Sequence, residues 1–186
     1  MGEINLTYKT KPFVLTGGPG VGKTMTAIGL ELKGYFVIPE VAESYIKLQQ
    51  HLGDKYPWED KNFEAIVLRY QLQKESVLKE LRNVGPVFID RGNLDALAYY
   101  QYYDRPISPL MKQVIACHEK TKIYNKIFLL EQLGGEKTTE IRKENSFESK
   151  SLELLQEKNY RDFGYEVIRI PALPLAERVK LVISKI

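Results

Sequence analysis

The chain has 186 residues, 44% of them hydrophobic and 27% charged, with a formal net charge of +3. This is globular composition, long enough to bury a core and unlike a disordered or fibrous chain, and no apolar run approaches the roughly 20 residues that a membrane helix needs. Lysines and arginines are interspersed with acids as on a solvated surface, so neither a nucleic-acid partner nor a membrane is expected.

Met1–Leu6 has neither the basic segment nor the apolar core of a secretory signal, and the single Cys117 cannot form an intramolecular disulfide; both fit a cytoplasmic location. No repeat or linker-like stretch interrupts the chain, so 1–186 is expected to be one domain. Phe13-Val14-Leu15 is a short apolar run that reads as a buried strand. Helical character follows from about Lys23, and Gly34 stands where that helix should end, in the left-handed position glycine tolerates best. Tyr35–Ile38 reads as a second strand, and Val41, Tyr45, Leu48 and Leu52 mark a short helix after it. Phe63, Ile66, Val67, Tyr70, Val77, Leu78 and Leu81 mark a long amphipathic one. Val87-Phe88-Ile89, Ile127–Leu130 and Val167–Ile170 are three further strands. Asn145, with Glu148 three residues on, opens a helix whose apolar face carries Leu152, Leu155 and Phe163. Leu175, Val179, Val182, Ile183 and Ile186 mark the last helix. Strands alternating with helices imply an α/β fold with a parallel sheet and right-handed crossovers.

The most specific signal is Gly17-Gly18-Pro19-Gly20-Val21-Gly22-Lys23-Thr24, which matches Gly, four residues, Gly, Lys, Ser/Thr. Glycines allow the backbone N–H groups to curl inward as a nest for phosphate oxygens, and the helix starting near Lys23 adds its positive end. Lys23 suits the β- and γ-phosphates, and the Thr24 hydroxyl suits Mg²⁺. Residues 17–24, with the adjacent Met25, are therefore the expected nucleotide contacts. Chance alone would give such a match in under about 1% of chains this long. The nucleotide expected is Mg-ATP, with GTP left open.

Asp90 ends the third strand, where open α/β sheets place their ligands. It is suited to holding Mg²⁺ beside Thr24 or to accepting a hydroxyl proton; the competing reading is a polar strand end that caps the following helix. Arg91 suits a bridge between acceptor and phosphate, or else a surface ion pair.

Phe13–Thr24, Ile38-Pro39-Glu40, Asp90-Arg91-Gly92, Ile141-Arg142-Lys143-Glu144 and Gly164–Ile168 together resemble the nicotinamide riboside kinase-like predicted ATPases, relatives of the deoxynucleoside and nucleoside monophosphate kinases. The resemblance runs through nearly the whole chain. It implies a three-layer P-loop NTPase sandwich whose five-stranded parallel sheet puts the P-loop strand beside the Asp90 strand. It also implies an acceptor cleft over the second and third strands and a lid at about 132–146. By the same resemblance Glu40 becomes the acceptor-side or base carboxylate, Asp90 and Arg91 the acid and its acceptor-side partner, and Arg142 the lid arginine. Glu43 stands where family members often carry arginine, and the stretch before Arg142 lacks an aspartate.

Several weaker signals have bland alternatives. Glu40 also suits a helix start through the dipole alone, and Arg142 suits an exposed loop. Gln71 and Glu75, one turn apart, suit a solvated helix face better than a substrate contact. Tyr99–Tyr103 suits helix packing or a subunit contact ahead of base stacking. Cys117 is expected to be buried, and His51 and His118 have no metal-ligand spacing. Pro171–Pro174 can cradle a base or simply stiffen a connection. Two functions follow from these residues: a Mg²⁺-dependent kinase of a small nucleoside-like acceptor, or a regulatory ATPase or GTPase switch acting through a protein partner. The Tyr124-Asn125-Lys126-Ile127 string lacks the aspartate of a guanine-specific site. Homodimerisation is left open.

Overall fold

The computed structural model describes residues 4, 6–132 and 146–186. Five strands, β1 (Phe13–Thr16), β2 (Phe36–Ile38), β3 (Val87–Asp90), β4 (Ile127–Leu130) and β5 (Val167–Ile170), form one parallel sheet in the order β2-β3-β1-β4-β5. Among the described residues it is flanked by α1 (Lys23–Glu31), α2 (Ala42–His51), α3 (Phe63–Glu75), α4 (Asp95–Tyr102), α5 (Pro109–Lys120), α6 (Ser146–Asp162) and α7 (Leu175–Ile183). Every expected strand is present, within a residue of its expected ends, and the P-loop strand lies beside the Asp90 strand.

Strand alternation explains the three layers, because successive side chains point to opposite faces. Phe13, Leu15, Phe88, Phe128, Leu130 and Ile170 enter one core with Ala27 and Leu30 of α1 and Val179 and Val182 of α7. Val14, Val87, Ile89, Ile127, Leu129 and Val167 enter the other, with Leu68 of α3, Leu97 of α4, Met111 and Val114 of α5, and Tyr160 of α6. Phe13, Phe88 and Phe128 cluster as a triangle of rings, with centroids 5.5, 5.9 and 6.4 Å apart. Both faces being covered, the strands are apolar runs rather than half-polar ones.

Helix boundaries follow local chemistry. Gly34, at φ 89°, closes α1 as the sequence predicts, with its N–H donating to the Glu31 carbonyl. Ser108 caps α5 by accepting from Met111 N, with Pro109 at the first position. The Asn145 start predicted for α6 lies outside the described residues.

Three expectations need correction. The long apolar pattern from Phe63 is helical only to Glu75, after which Ser76–Lys79 tightens into a 3₁₀ turn. Its buried stripe is Glu64, Leu68, Gln71 and Glu75, while Tyr70 is exposed. Gln71 and Glu75 are therefore interior groups and not a solvated face. Cys117 is half-buried, its thiol directed at the Ile4 carbonyl.

Leu15, fully buried at the centre of the sheet, tests this core. Replacing it with alanine should cost about 2–5 kcal/mol in urea unfolding. Leu52→Ala, on a side chain left 71% exposed, should stay within about 0.5 kcal/mol. Equal midpoints for the two would contradict the assignment of the core.

Candidate active site

The sheet order places β1 and β3 side by side, with Leu15 opposite Asp90. The loop after β1 and the turn after β3 therefore emerge together at the carboxyl edge, where α/β sheets hold ligands. Gly17 adopts φ 132°, and a Cβ there would lie 2.5 Å from the Leu130 carbonyl oxygen, so only glycine fits this close turn. Gly22, at φ 88°, caps α1 and delivers Lys23 and Thr24 into its first turn. That turn's N–H groups have no intrahelical acceptor and face the loop. Lys23 is buried, its Nζ donating to the carbonyls of Gly17 (2.9 Å) and Gly18 (2.8 Å). Met25, by contrast, is exposed on α1.

Asp90 is fully buried, and neither carboxylate oxygen has a hydrogen-bond partner. Burial, then the Glu40 charge, pushes its pKa up to about 6 against Lys23, Arg91 and the Thr24 hydroxyl. It does not cap α4, whose N-cap is Leu94. Orphaned carboxylate oxygens next to a threonine hydroxyl suit Mg²⁺, which takes one or two protein oxygens and fills its shell from phosphates and water. Among the described residues no group of three or more His, Cys, Asp or Glu converges as a metal cluster.

Arg91 sits in the left-handed region at φ 70°, a conformation that costs about 1–3 kcal/mol in a non-glycine residue. Three ties hold it there. Its N–H donates to Leu15 O (3.0 Å), its carbonyl accepts from Gln71 Nε2 (3.0 Å), and its Nε donates to Glu40 Oε1 (2.7 Å). Glu40 arrives two residues beyond β2, so the pair joins the ends of β2 and β3. The guanidinium also lies 5.8 Å from the Tyr99 ring centroid and 3.9 Å from Asp95 Oδ2. Burial pulls its pKa down, yet Glu40, Tyr99, Asp95 and Asp90 hold it well above the ordinary value. Lys23 goes the other way: burial and the Arg91 charge bring it to about 8 despite Glu40, Asp90 and Asp95.

Five of the residues singled out in the sequence, Lys23, Thr24, Glu40, Asp90 and Arg91, thus gather at one edge of the sheet. Arg142 lies outside the described residues. Glu43, on α2, pairs with Lys47. Tyr100 of the tyrosine run packs in the core, with its hydroxyl on Ser108, while Tyr99 faces Arg91. Pro171–Pro174 forms an exposed link from β5 to α7, and Pro174 is the N-cap of α7.

Asp95 completes the cluster. Its carboxylate accepts from Thr16 Oγ1 (2.9 Å to each oxygen) and Tyr160 Oη (2.8 Å), and burial raises its pKa. Its spacing of four from Arg91 is the signal that could have marked it. Behind Arg91, Glu75 collects donors from Tyr8 (2.6 Å), Gln71 (2.9 Å), Tyr124 (3.1 Å) and Asn93 (3.3 Å). Burial lifts its pKa to about 7, although those hydrogen bonds pull the other way. Asn93 accepts from His118 Nε2 (2.7 Å), and burial holds that imidazole neutral with a pKa near 3.

The fold has known counterparts. Deoxyadenosine kinase from M. mycoides with products dCMP and dCDP bound superposes with a TM-score of 0.64 at 14% identity, over 94% of this chain and 97% of that one. The same enzyme with bound dCTP gives 0.61 at 13% identity, over 94% and 97%. The NadR protein in complex with NR gives 0.67 at 17% identity, over 87% of this chain and 43% of that one. No curated protein matches the sequence. The AAA_28 family, described as an AAA domain, matches residues 12–178.

The raised pKa of Asp90 links stability to pH. An unfolded aspartate titrates near 3.9, whereas the native one holds its proton up to about 6. The native state therefore binds more protons across that window, and stability falls as pH rises through it. Asp90→Asn should unfold at higher urea than the parent at pH 7.5, with the gain vanishing below about pH 4. A variant less stable than the parent at pH 7.5 would refute the uncompensated carboxylate.

Proposed function

Because the chain belongs to this AAA-domain family and has the P-loop kinase fold, we propose that it is a Mg²⁺-dependent kinase that transfers the γ-phosphate of ATP to a hydroxyl of a small nucleoside-like acceptor. One observation carries the reading: the P-loop Lys23 and Thr24 and the unpartnered Asp90 lie beside a Glu40–Arg91 pair that joins the ends of β2 and β3. A phosphate-binding loop alone would serve any NTPase. A carboxylate held in place on the acceptor side is what a hydroxyl nucleophile needs.

In this reading Thr24 and Asp90 would hold Mg²⁺, which would supply positive charge to the β- and γ-phosphates. Lys23 adds a point charge, and Arg142, carried over from the family resemblance, adds another from the lid. Glu40, oriented by Arg91, accepts the acceptor's proton as its oxygen bonds to the γ-phosphorus and the bond to the ADP oxygen breaks. The protein's contribution is positioning and electrostatics.

Charge favours a neutral hydroxyl over a phosphate as acceptor. Glu40, Asp90 and Asp95 outnumber Lys23 and Arg91, and Arg91 is engaged by Glu40. Arg105, the next arginine along, is engaged by Glu64 at 2.5 Å. A phosphate dianion would meet like charge there, at a cost that grows in a low dielectric.

The test is ADP release from Mg-ATP with a panel of nucleosides, nucleotides and nicotinamide riboside, run beside Lys23→Ala and Glu40→Gln. One nucleoside-like compound should raise turnover, and each substitution should lower it by at least about 100-fold, with nucleotide binding lost only in Lys23→Ala. Lys23-dependent binding with slow hydrolysis that no small molecule stimulates would sink the kinase and point to a partner-controlled switch.

A further inference from the structure

Arg178 is a buried cation behind the phosphate loop that no anion among the described residues neutralises. It stands in the first turn of α7 and is 1% exposed, the largest fully buried side chain among the described residues. Its Nη1 donates to the Val21 carbonyl at 2.5 Å and its Nη2 to the Glu131 carbonyl at 3.4 Å. Nε has no partner. Among the described residues no carboxylate pairs with it: the nearby Glu131 side chain is taken by Arg169 at 3.0 Å. Burial alone lowers its pKa, without an opposing acid.

Such a group is costly, since a charge taken out of water without a counter-ion forfeits its hydration. A buried structural role does not call for a charge, because a long apolar side chain would fill the same space. The location supplies a reason. Val21 lies inside the phosphate loop, just before Gly22 and Lys23, and is itself fully buried. A guanidinium on the Val21 carbonyl directs that oxygen away from the phosphate side. It also polarises the Val21–Gly22 peptide, which strengthens the Gly22 N–H as a donor. Through Glu131 O the same fork ties the loop to the end of β4.

We propose that Arg178 is a positioning residue for the nucleotide: its charge, which no described residue compensates, is balanced by the phosphates that the loop receives. The inference rests on the reading of residues 17–24 as the nucleotide site.

Arg178→Gln and Arg178→Lys separate charge from hydrogen bonding, because each keeps one donor for Val21 and only lysine keeps the charge. Affinity for Mg-ATP and Mg-ADP by calorimetry, and thermal midpoints with and without nucleotide, would be measured on both, beside the parent and Lys23→Ala. Arg178→Gln should keep or raise the nucleotide-free midpoint while weakening nucleotide binding about 10-fold or more. Arg178→Lys should stay within about threefold of the parent. Glutamine binding as tightly as the parent, or lysine losing as much as glutamine, would overturn the proposal. So would a loss of nucleotide-free stability with affinity intact, which is what a purely structural arginine predicts. If the parent itself fails to bind nucleotide in a Lys23-dependent way, it is the P-loop reading that falls.

Discussion

Lys23, Asp90 and Asp95 are buried together at the carboxyl ends of β1 and β3, with Arg91 half-buried against them, and the rest of the molecule is arranged around keeping them there. Each charge alone in the interior would cost several kcal/mol. Together they offset one another only if each is held at its position. Glu40 can reach Arg91 because β2 lies beside β3, so the ion pair depends on the strand order. Asp95 is held by Thr16 from the end of β1 and by Tyr160 from α6, which draws both flanks of the cluster together. Behind it the Glu75 group fixes Gln71, and Gln71 fixes the Arg91 carbonyl.

That polar layer is carried by two apolar ones. Burying a single leucine, isoleucine or phenylalanine contributes roughly 1.5–3 kcal/mol, and each sheet face supplies many such side chains. A left-handed Arg91 and an unpartnered Asp90 are affordable against that background. They are not affordable at the edge of the sheet, and both strands that carry the cluster have a neighbour on each side.

The strands were legible because a parallel sheet with both faces covered leaves short apolar runs, and Ile127–Leu130 and Val167–Ile170 match to the residue. The phosphate loop was legible because its backbone demands glycine at fixed places. The polar interior was not. Helical periodicity counts apolar residues, so on α3 it selects Phe63, Ile66, Val67 and Tyr70 and passes over the Glu64, Gln71 and Glu75 that face inward. Gln71 and Glu75 look like surface until Tyr8, Asn93 and Tyr124, distant in sequence, are known to converge on them. Arg178 hides in the same way, on an amphipathic helix where arginine normally marks the wet side. The helix α5 was not read from the sequence at all, although Ser108-Pro109 at its start is a local capping signal that apolar periodicity does not register.

Burial that strengthens the electrostatics of the cluster also narrows the pH range over which its charges coexist. The same desolvation drives Asp90 up to about 6 and Lys23 down to about 8. Both are charged only between those values, a window that solvent-exposed side chains would widen to more than six pH units. A wetter site would keep its charges over that wider range but would weaken every interaction they make, because the effective dielectric would rise. A drier one would push Asp90 and Lys23 towards neutrality together. Arg91 breaks the symmetry: its guanidinium does not deprotonate, so it sustains the Glu40 carboxylate whatever happens to its neighbours. The choice of arginine at the left-handed turn, where glycine would be conformationally cheaper, is therefore explained by charge and not by backbone.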